Sequence, residues 1–193
     1  CVIVTNLAEY HMDRYSDMDE YADDKMNLLN FLDDNGRLII ENEKYLAEKS
    51  ESYKGETFKV DTDLTGMPNL CEGKLDFGHF YVSTKNFPLK GKHNLLNLSF
   101  ALLAVDKLAG LKGDITYMVE DLRGLEHRCE HVAFINGVEY INDSKGTNLH
   151  STLTALKGSD EVVVIILGGK DKNGDFAVLT DILNEKAAAV IEY

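Results

Sequence analysis

Six consecutive apolar residues, Val162 to Leu167, stop at Gly168-Gly169, and a helical stretch from about Phe176 to Leu183 leads into a second apolar run, Ala187 to Ile191. Both runs are strand-length, and neither approaches the ~20 apolar residues that a bilayer span requires. A strand, a helix and a strand in succession predict a parallel pair with the helix packed across it. The chain is therefore expected to be α/β, with Val162 to Leu167 as a buried strand.

Upstream, Val132 to Ile135 and Val138 to Ile141 flank Asn136-Gly137. Asn-Gly suits the two positive φ angles of a type I′ turn, so this segment is predicted to be a β-hairpin. A helix from about Leu149 to Leu156 follows. In the first half, Cys1 to Asn6 and Arg37 to Ile40 read as strands, and Met18 to Leu32 has loose helical spacing that ends at Asn35-Gly36. A helix near Tyr45 and short strands near Thr57 to Val60, Lys74 to Leu75 and His79 to Ser83 are expected between them. The clearest helix is His93 to Ala109, whose apolar face (Leu95, Leu96, Phe100, Leu103, Leu108) stops at Gly110. A domain boundary is placed near Gly124.

The formal net charge of -13 would repel nucleic acid and anionic membrane, so neither is an expected partner. An anionic ligand would have to be held by local Lys and Arg. The three cysteines, Cys1, Cys71 and Cys129, are widely spaced with no Cys-x-x-Cys pair, which points to reduced thiols. With no apolar signal core, the expected location is the cytoplasm.

Several segments carry candidate chemistry. Asn142-Asp143-Ser144-Lys145-Gly146-Thr147-Asn148 enters a helix N-terminus, which favours anions, although Asp143, Thr147 and Asn148 could equally be turn and cap residues. Gly168-Gly169-Lys170-Asp171-Lys172 follows the carboxyl end of a strand but is neither a Walker loop nor a dinucleotide fingerprint. Asn94 and Asn97, three apart, share a helix face and could pair with a purine edge, or Asn94 could be an ordinary cap. His127-Arg128-Cys129-Glu130-His131 invites a zinc reading, but it has no second cluster, and alternation would send neighbours to opposite faces. His11 lies near a strand end, with Lys25 on the helix behind it.

Taken in order and spacing, His11 to Tyr15, Tyr21 to Lys25, Gly91 to Asn97, Gly124 to Arg128 with Glu130, Asn136-Gly137, Ile141 to Asn148 and Gly168 to Phe176 resemble the Mur ligase family. Asn142-Asp143-Ser144-Lys145 with Thr147-Asn148 resembles its D-glutamate-adding branch. The resemblance implies an ATP-dependent amide ligase that adds D-glutamate to UDP-N-acetylmuramoyl-L-alanine through an acyl phosphate, as a monomer. It also implies a carbamylated Lys25 that holds Mg2+ with His11. By the same resemblance Asn94 and Asn97 would contact adenine, and Arg128 and Asp143 the nucleotide's phosphate and ribose. Lys145 and Thr147 would face the product region, and Lys172 a D-glutamate carboxylate.

The chain departs from the family at Tyr10, where an acidic residue is usual, and at Gly146, where alanine is usual. The family's Gly-x-x-Gly-Lys-Thr/Ser loop is not in this sequence. The chain is therefore expected to be a piece of a longer ligase, inactive alone. Residues 1–124 would be the later part of a central ATPase domain, and 125–193 the opening part of a Rossmann-like C-terminal domain. Two alternatives stay open: another Mur or folylpolyglutamate-type ligase, and a non-catalytic module of the same fold.

Overall fold

The computed structural model describes residues 1–7, 14–169 and 175–193. They form two compact units, Cys1–Phe87 with His93–Leu122, and Pro88–Lys92 with Arg123–Tyr193.

In the first unit, β1 (Val2–Val4), β2 (Arg37–Glu41) and β3 (Glu56–Val60) make a parallel sheet in that order, with Ile3 opposite Ile39 and Ile39 opposite Phe58. Strand β2 is buried on both faces, and its alternation divides the core. Leu38 and Ile40 join Val4, Met26 and Leu46 on one side, while Ile39 joins Val60, Phe80 and Leu102 on the other. Helices α1 (Met18–Met26) and α2 (Lys44–Ser50) supply Met26 and Leu46. The Asp17 side chain caps α1 at the Glu20 N–H (2.9 Å), and Lys49 ties α2 back to Asp23 of α1 at 2.8 Å. The stretch expected to stay helical to Leu32 instead tightens into a 3-10 turn at Asn27–Phe31, in which Phe31 is 86% exposed.

The same unit holds β4 (Asn69–Cys71), β5 (Lys74–Asp76) and β6 (Phe80–Ser83), which are antiparallel, with β7 (Gly113–Asp114) parallel to β6. Helix α3 (Lys92–Ala109) buries Leu98, Phe100, Leu102 and Leu103 in the cluster shared with Leu75, Phe80 and Val82. It ends where the Gly110 N–H returns to the Asp106 carbonyl at 2.8 Å. Strands β4 and β7 carry only three and two residues and were not expected from the sequence.

The second unit contains the hairpin β8 (Glu130–Ile135) and β9 (Val138–Asn142), then α4 (Leu149–Lys157), β10 (Val163–Leu167), a 3-10 turn at Phe176–Leu179, α5 (Thr180–Lys186) and β11 (Ala187–Glu192). Asn136 (φ 52°) and Gly137 (φ 83°) take the positive angles that the turn requires. Strands β10 and β11 pair in parallel, as expected. The expectation that Val162 to Leu167 is buried fails on one face: Val162, Val164 and Ile166 are 69%, 60% and 65% exposed. Val163 and Ile165 alone pack on Leu156, Leu179 and Ile182, because α4 and α5 cover the side to which those alternate residues point. No helix among the described residues is long and apolar enough to cross a membrane.

Candidate functional site

The hairpin register brings together two segments that lie far apart in sequence. Ile135 faces Val138, Phe134 faces Glu139 and Ala133 faces Tyr140, but a bulge between His131 and Ala133 then puts His131 opposite Ile141 and Glu130 opposite Asn142. An unbroken ladder counted from the Asn136-Gly137 turn would have placed His131, not Glu130, across from Asn142. The extra residue, Val132, therefore decides which side chains meet at the open end of the hairpin.

Just before that end the backbone makes a tight left-handed passage, with His127 at φ 66° and Cys129 at φ 45° on either side of Arg128. Non-glycine residues take such angles only when their surroundings hold them there. Glu130 Oε2 accepts the His127 N–H at 2.8 Å, Asp143 Oδ1 accepts the Cys129 N–H at 3.0 Å, and the His127 carbonyl accepts the Lys145 N–H at 3.1 Å. Arg128 and Asp143 are thereby fixed within one stitched pair of loops. Burial, and then the Asp143 charge and hydrogen bond, push the Cys129 thiol above its ordinary range, which makes it a poor nucleophile.

The Gly146 N–H donates to the Asp143 carbonyl at 2.8 Å, and a Cβ on Gly146 would sit 2.6 Å from Asp143 Oδ2. Asn148 caps α4 by accepting the Ser151 N–H at 2.7 Å, as an N-cap asparagine does. Lys145 and Thr147 are exposed on the loop that leads into this cap. The cap residue is thus Asn148, while Asp143 turns back to the His127–Cys129 passage.

In the first unit, Asn94 and Asn97 lie in the opening turns of α3, Asn94 half-buried and Asn97 exposed. Lys25 closes the last turn of α1 and borders a pocket of about 330 Å³ at the carboxyl end of β1, with Thr5, Asn6 and Asp24. Its ammonium lies 5.1 Å from the Tyr21 ring centroid. A second pocket of about 490 Å³ opens beside Asn42, Asp61, Thr62, Asp63 and Thr65, past the ends of β2 and β3, where Asn42 Nδ2 donates to Asp61 Oδ1 at 2.6 Å. Burial pushes the neighbouring Glu41 carboxyl up. Both pockets lie at the sheet edge where α/β proteins bind ligands. His11 and Lys172 lie outside the described residues.

Sequence reasoning singled out Lys25, Asn94, Asn97, Arg128, Asp143, Lys145 and Thr147, but missed how Glu130 and Asn142 link His127 to Ser144 beside them. Nothing short of the bulge would have revealed that pairing. The second pocket had no motif to mark it.

The Mur ligase middle domain matches residues 1–105. The chain belongs to the Mur ligase family. Among its relatives, a UDP-N-acetylmuramoylalanine--D-glutamate ligase of Shewanella violacea is 33% identical over 97% of this chain and 42% of its own length. One from Citrifermentans bemidjiense is 32% identical over 98% and 43%, and one from Francisella tularensis subsp. holarctica is 34% identical over 100% and 42%. The chain thus spans less than half the length of these relatives. Among solved structures, MurF of Thermotoga maritima in complex with ADP matches with TM-score 0.71 at 14% identity, covering 97% of this chain and 52% of that one. MurF of Acinetobacter baumannii matches with TM-score 0.69 at 16% identity, covering 98% and 50%. At such identities the structural likeness supports the Mur ligase fold and no more.

Proposed function

We propose that this Mur ligase chain is part of an ATP-dependent amide ligase that joins D-glutamate to UDP-N-acetylmuramoyl-L-alanine, working as a cytoplasmic monomer. The observation that carries the reading is the stitched loop pair, which ties the residues on either side of Arg128 to the Asp143 loop through the Cys129 N–H and the His127 carbonyl. A cation there suits a phosphate, and a carboxylate suits the paired hydroxyls of a ribose. Relatives bearing the D-glutamate ligase name align over nearly the whole chain.

In this reading residues 1–124 are the later part of the central ATPase domain, and 125–193 open a Rossmann-like C-terminal domain. Asn94 and Asn97 contact adenine, Lys145 and Thr147 face the developing product region, and Lys172 binds a D-glutamate carboxylate. ATP phosphorylates the substrate carboxylate, and the D-glutamate amine then displaces phosphate to give the amide. Catalysis of this kind needs alignment and charge neutralisation more than a reactive side chain.

The oxygen donors of Thr5, Asn6 and Asp24 around Lys25 fit a hard cation such as Mg2+, with one exception. A lysine ammonium would repel it. If Lys25 adds CO2 and releases a proton, the resulting carbamate supplies an oxygen ligand, with His11 as its partner. Bound there, Mg2+ would neutralise phosphate charge.

The test is an acceptor assay on the full-length enzyme with UDP-N-acetylmuramoyl-L-alanine, ATP and, in turn, D-glutamate, L-lysine, diaminopimelate and L-glutamate. Phosphate release with D-glutamate alone is expected. Preference for another acceptor would move the chain to a different branch of the family, and no turnover with any of them would favour a non-catalytic module.

A further inference from the structure

We propose that Glu130 is a positioning residue for Arg128 and Asp143, acting through His127 and Asn142, which rests on the nucleotide-binding reading of that loop pair given above. Glu130 sits where the two segments share an acceptor. Its Oε2 takes the His127 N–H at 2.8 Å and the Asn142 Nδ2–H at 3.4 Å, and lies 3.6 Å from His127 Nδ1. Asn142 completes the link: its Oδ1 accepts the Ser144 N–H at 3.1 Å, so its Nδ2 faces His127 Nδ1 at 2.8 Å. The amide orientation follows from having an N–H on one side and a carboxylate on the other.

The bulge gives this arrangement its direction. Without it His131 would face Asn142, and the carboxylate would fall one place along the ladder. With it, the carboxylate stands over the amide of His127, the first left-handed residue of the passage. Removing that acceptor lets His127 return toward ordinary backbone angles, and Arg128, the next residue, swings with it. Asp143 stays with the Cys129 amide, so Arg128 and Asp143 lose their common geometry. Glu130 touches no ligand in this scheme and contributes through His127 and Asn142.

The test compares Glu130→Ala, Glu130→Gln and Arg128→Ala in the full-length enzyme, with KM for ATP and for D-glutamate, kcat, and a thermal melt to confirm folding. Glu130→Ala is expected to raise the ATP KM roughly tenfold and to leave the D-glutamate KM unchanged. Glu130→Gln keeps an oxygen acceptor for the His127 N–H and should return the ATP KM toward the wild-type value. If Arg128→Ala raises the ATP KM and Glu130→Ala does not, the positioning role is wrong while the nucleotide site stands. The role is equally overturned if Glu130→Ala raises both KM values alike and Glu130→Gln is no better. If Arg128→Ala leaves the ATP KM unchanged, the nucleotide reading fails and takes this inference with it.

Discussion

The Cys129 N–H donates to Asp143 Oδ1 at 3.0 Å, so the residue after Arg128 is tied directly to the loop that follows the hairpin. The Asp143 carboxylate reaches that amide by lying over Gly146, where a Cβ would meet Oδ2 at 2.6 Å and the Asp143 carbonyl oxygen at 3.1 Å. Gly146→Ala should therefore turn the carboxylate off the Cys129 amide. Burial and Asp143 both hold the Cys129 thiol up, so removing the second influence lowers its pKa and increases the thiolate fraction at a given pH. Alkylation of Cys129 against pH, in a background where Cys1 and Cys71 are Ser, should shift toward lower pH in the alanine variant. An unmoved profile would show that Asp143 keeps its place and that Gly146 is not needed for it.

At the other pocket, Lys25 borders Thr5, Asn6 and Asp24 at the end of β1. If it works as a carbamate, Lys25→Ala should lower kcat at least about a hundredfold in the full-length enzyme, since it removes a metal ligand rather than a surface charge. Adding a short-chain carboxylic acid should restore part of the rate by supplying the lost carboxylate. Lys25→Arg should not be rescued, because the guanidinium fills the place that the additive needs. Wild-type rates in Lys25→Ala without additive would reduce Lys25 to a surface lysine beside Tyr21.

Much of the fold was legible where local chemistry dictates it. Asn136-Gly137 specified its turn, and the face of α3 specified a helix from its spacing. The parallel pairing of β10 and β11 followed from the order strand, helix, strand. What stayed hidden depends on long-range register. Val132 looks like an ordinary strand valine, and nothing in its neighbours announces that it will bulge. β4 and β7 are held by pairing with β5 and β6 rather than by their own composition. Val164 and Ile166 were expected inside because an apolar run reads the same whether one face or both are covered.

The Asn142 amide makes the tautomer of His127 a testable quantity. Because Nδ2 is a donor and lies 2.8 Å from His127 Nδ1, neutral His127 must carry its proton on Nε2. The 15N spectrum of the neutral ring should show Nδ1 as the unprotonated nitrogen. Asn142→Leu should let the ring populate both tautomers. A protonated Nδ1 in the wild-type spectrum would mean that the Asn142 amide is reversed and that Ser144 has lost its acceptor.

The last prediction concerns folding and rests on Asp106, whose side chain is 6% exposed near the end of α3. Burial alone would raise its carboxyl pKa. The His79 hydrogen bond at 2.8 Å and the Leu111 N–H at 3.0 Å outweigh burial, helped by the Lys107 charge, and hold it below the ordinary carboxylate value. A depressed folded pKa means stability that is present above the unfolded pKa of about 3.9 and lost as pH falls through the folded value. Asp106→Asn keeps the shape but gives up the charge: Oδ1, which meets both His79 and the Leu111 N–H, becomes a neutral amide oxygen, and Oδ2, 3.4 Å from Lys107, becomes an NH2. It should cost about 1–3 kcal/mol near neutral pH, because two charge-assisted hydrogen bonds become neutral ones at a nearly buried site and the Lys107 ammonium loses its carboxylate. The difference between wild type and variant, read from urea midpoints, should then shrink below about pH 4 as the wild-type carboxyl is protonated. A difference that stayed constant from about pH 7 down to about pH 3 would mean that the bonds at Asp106 do not depend on its ionisation.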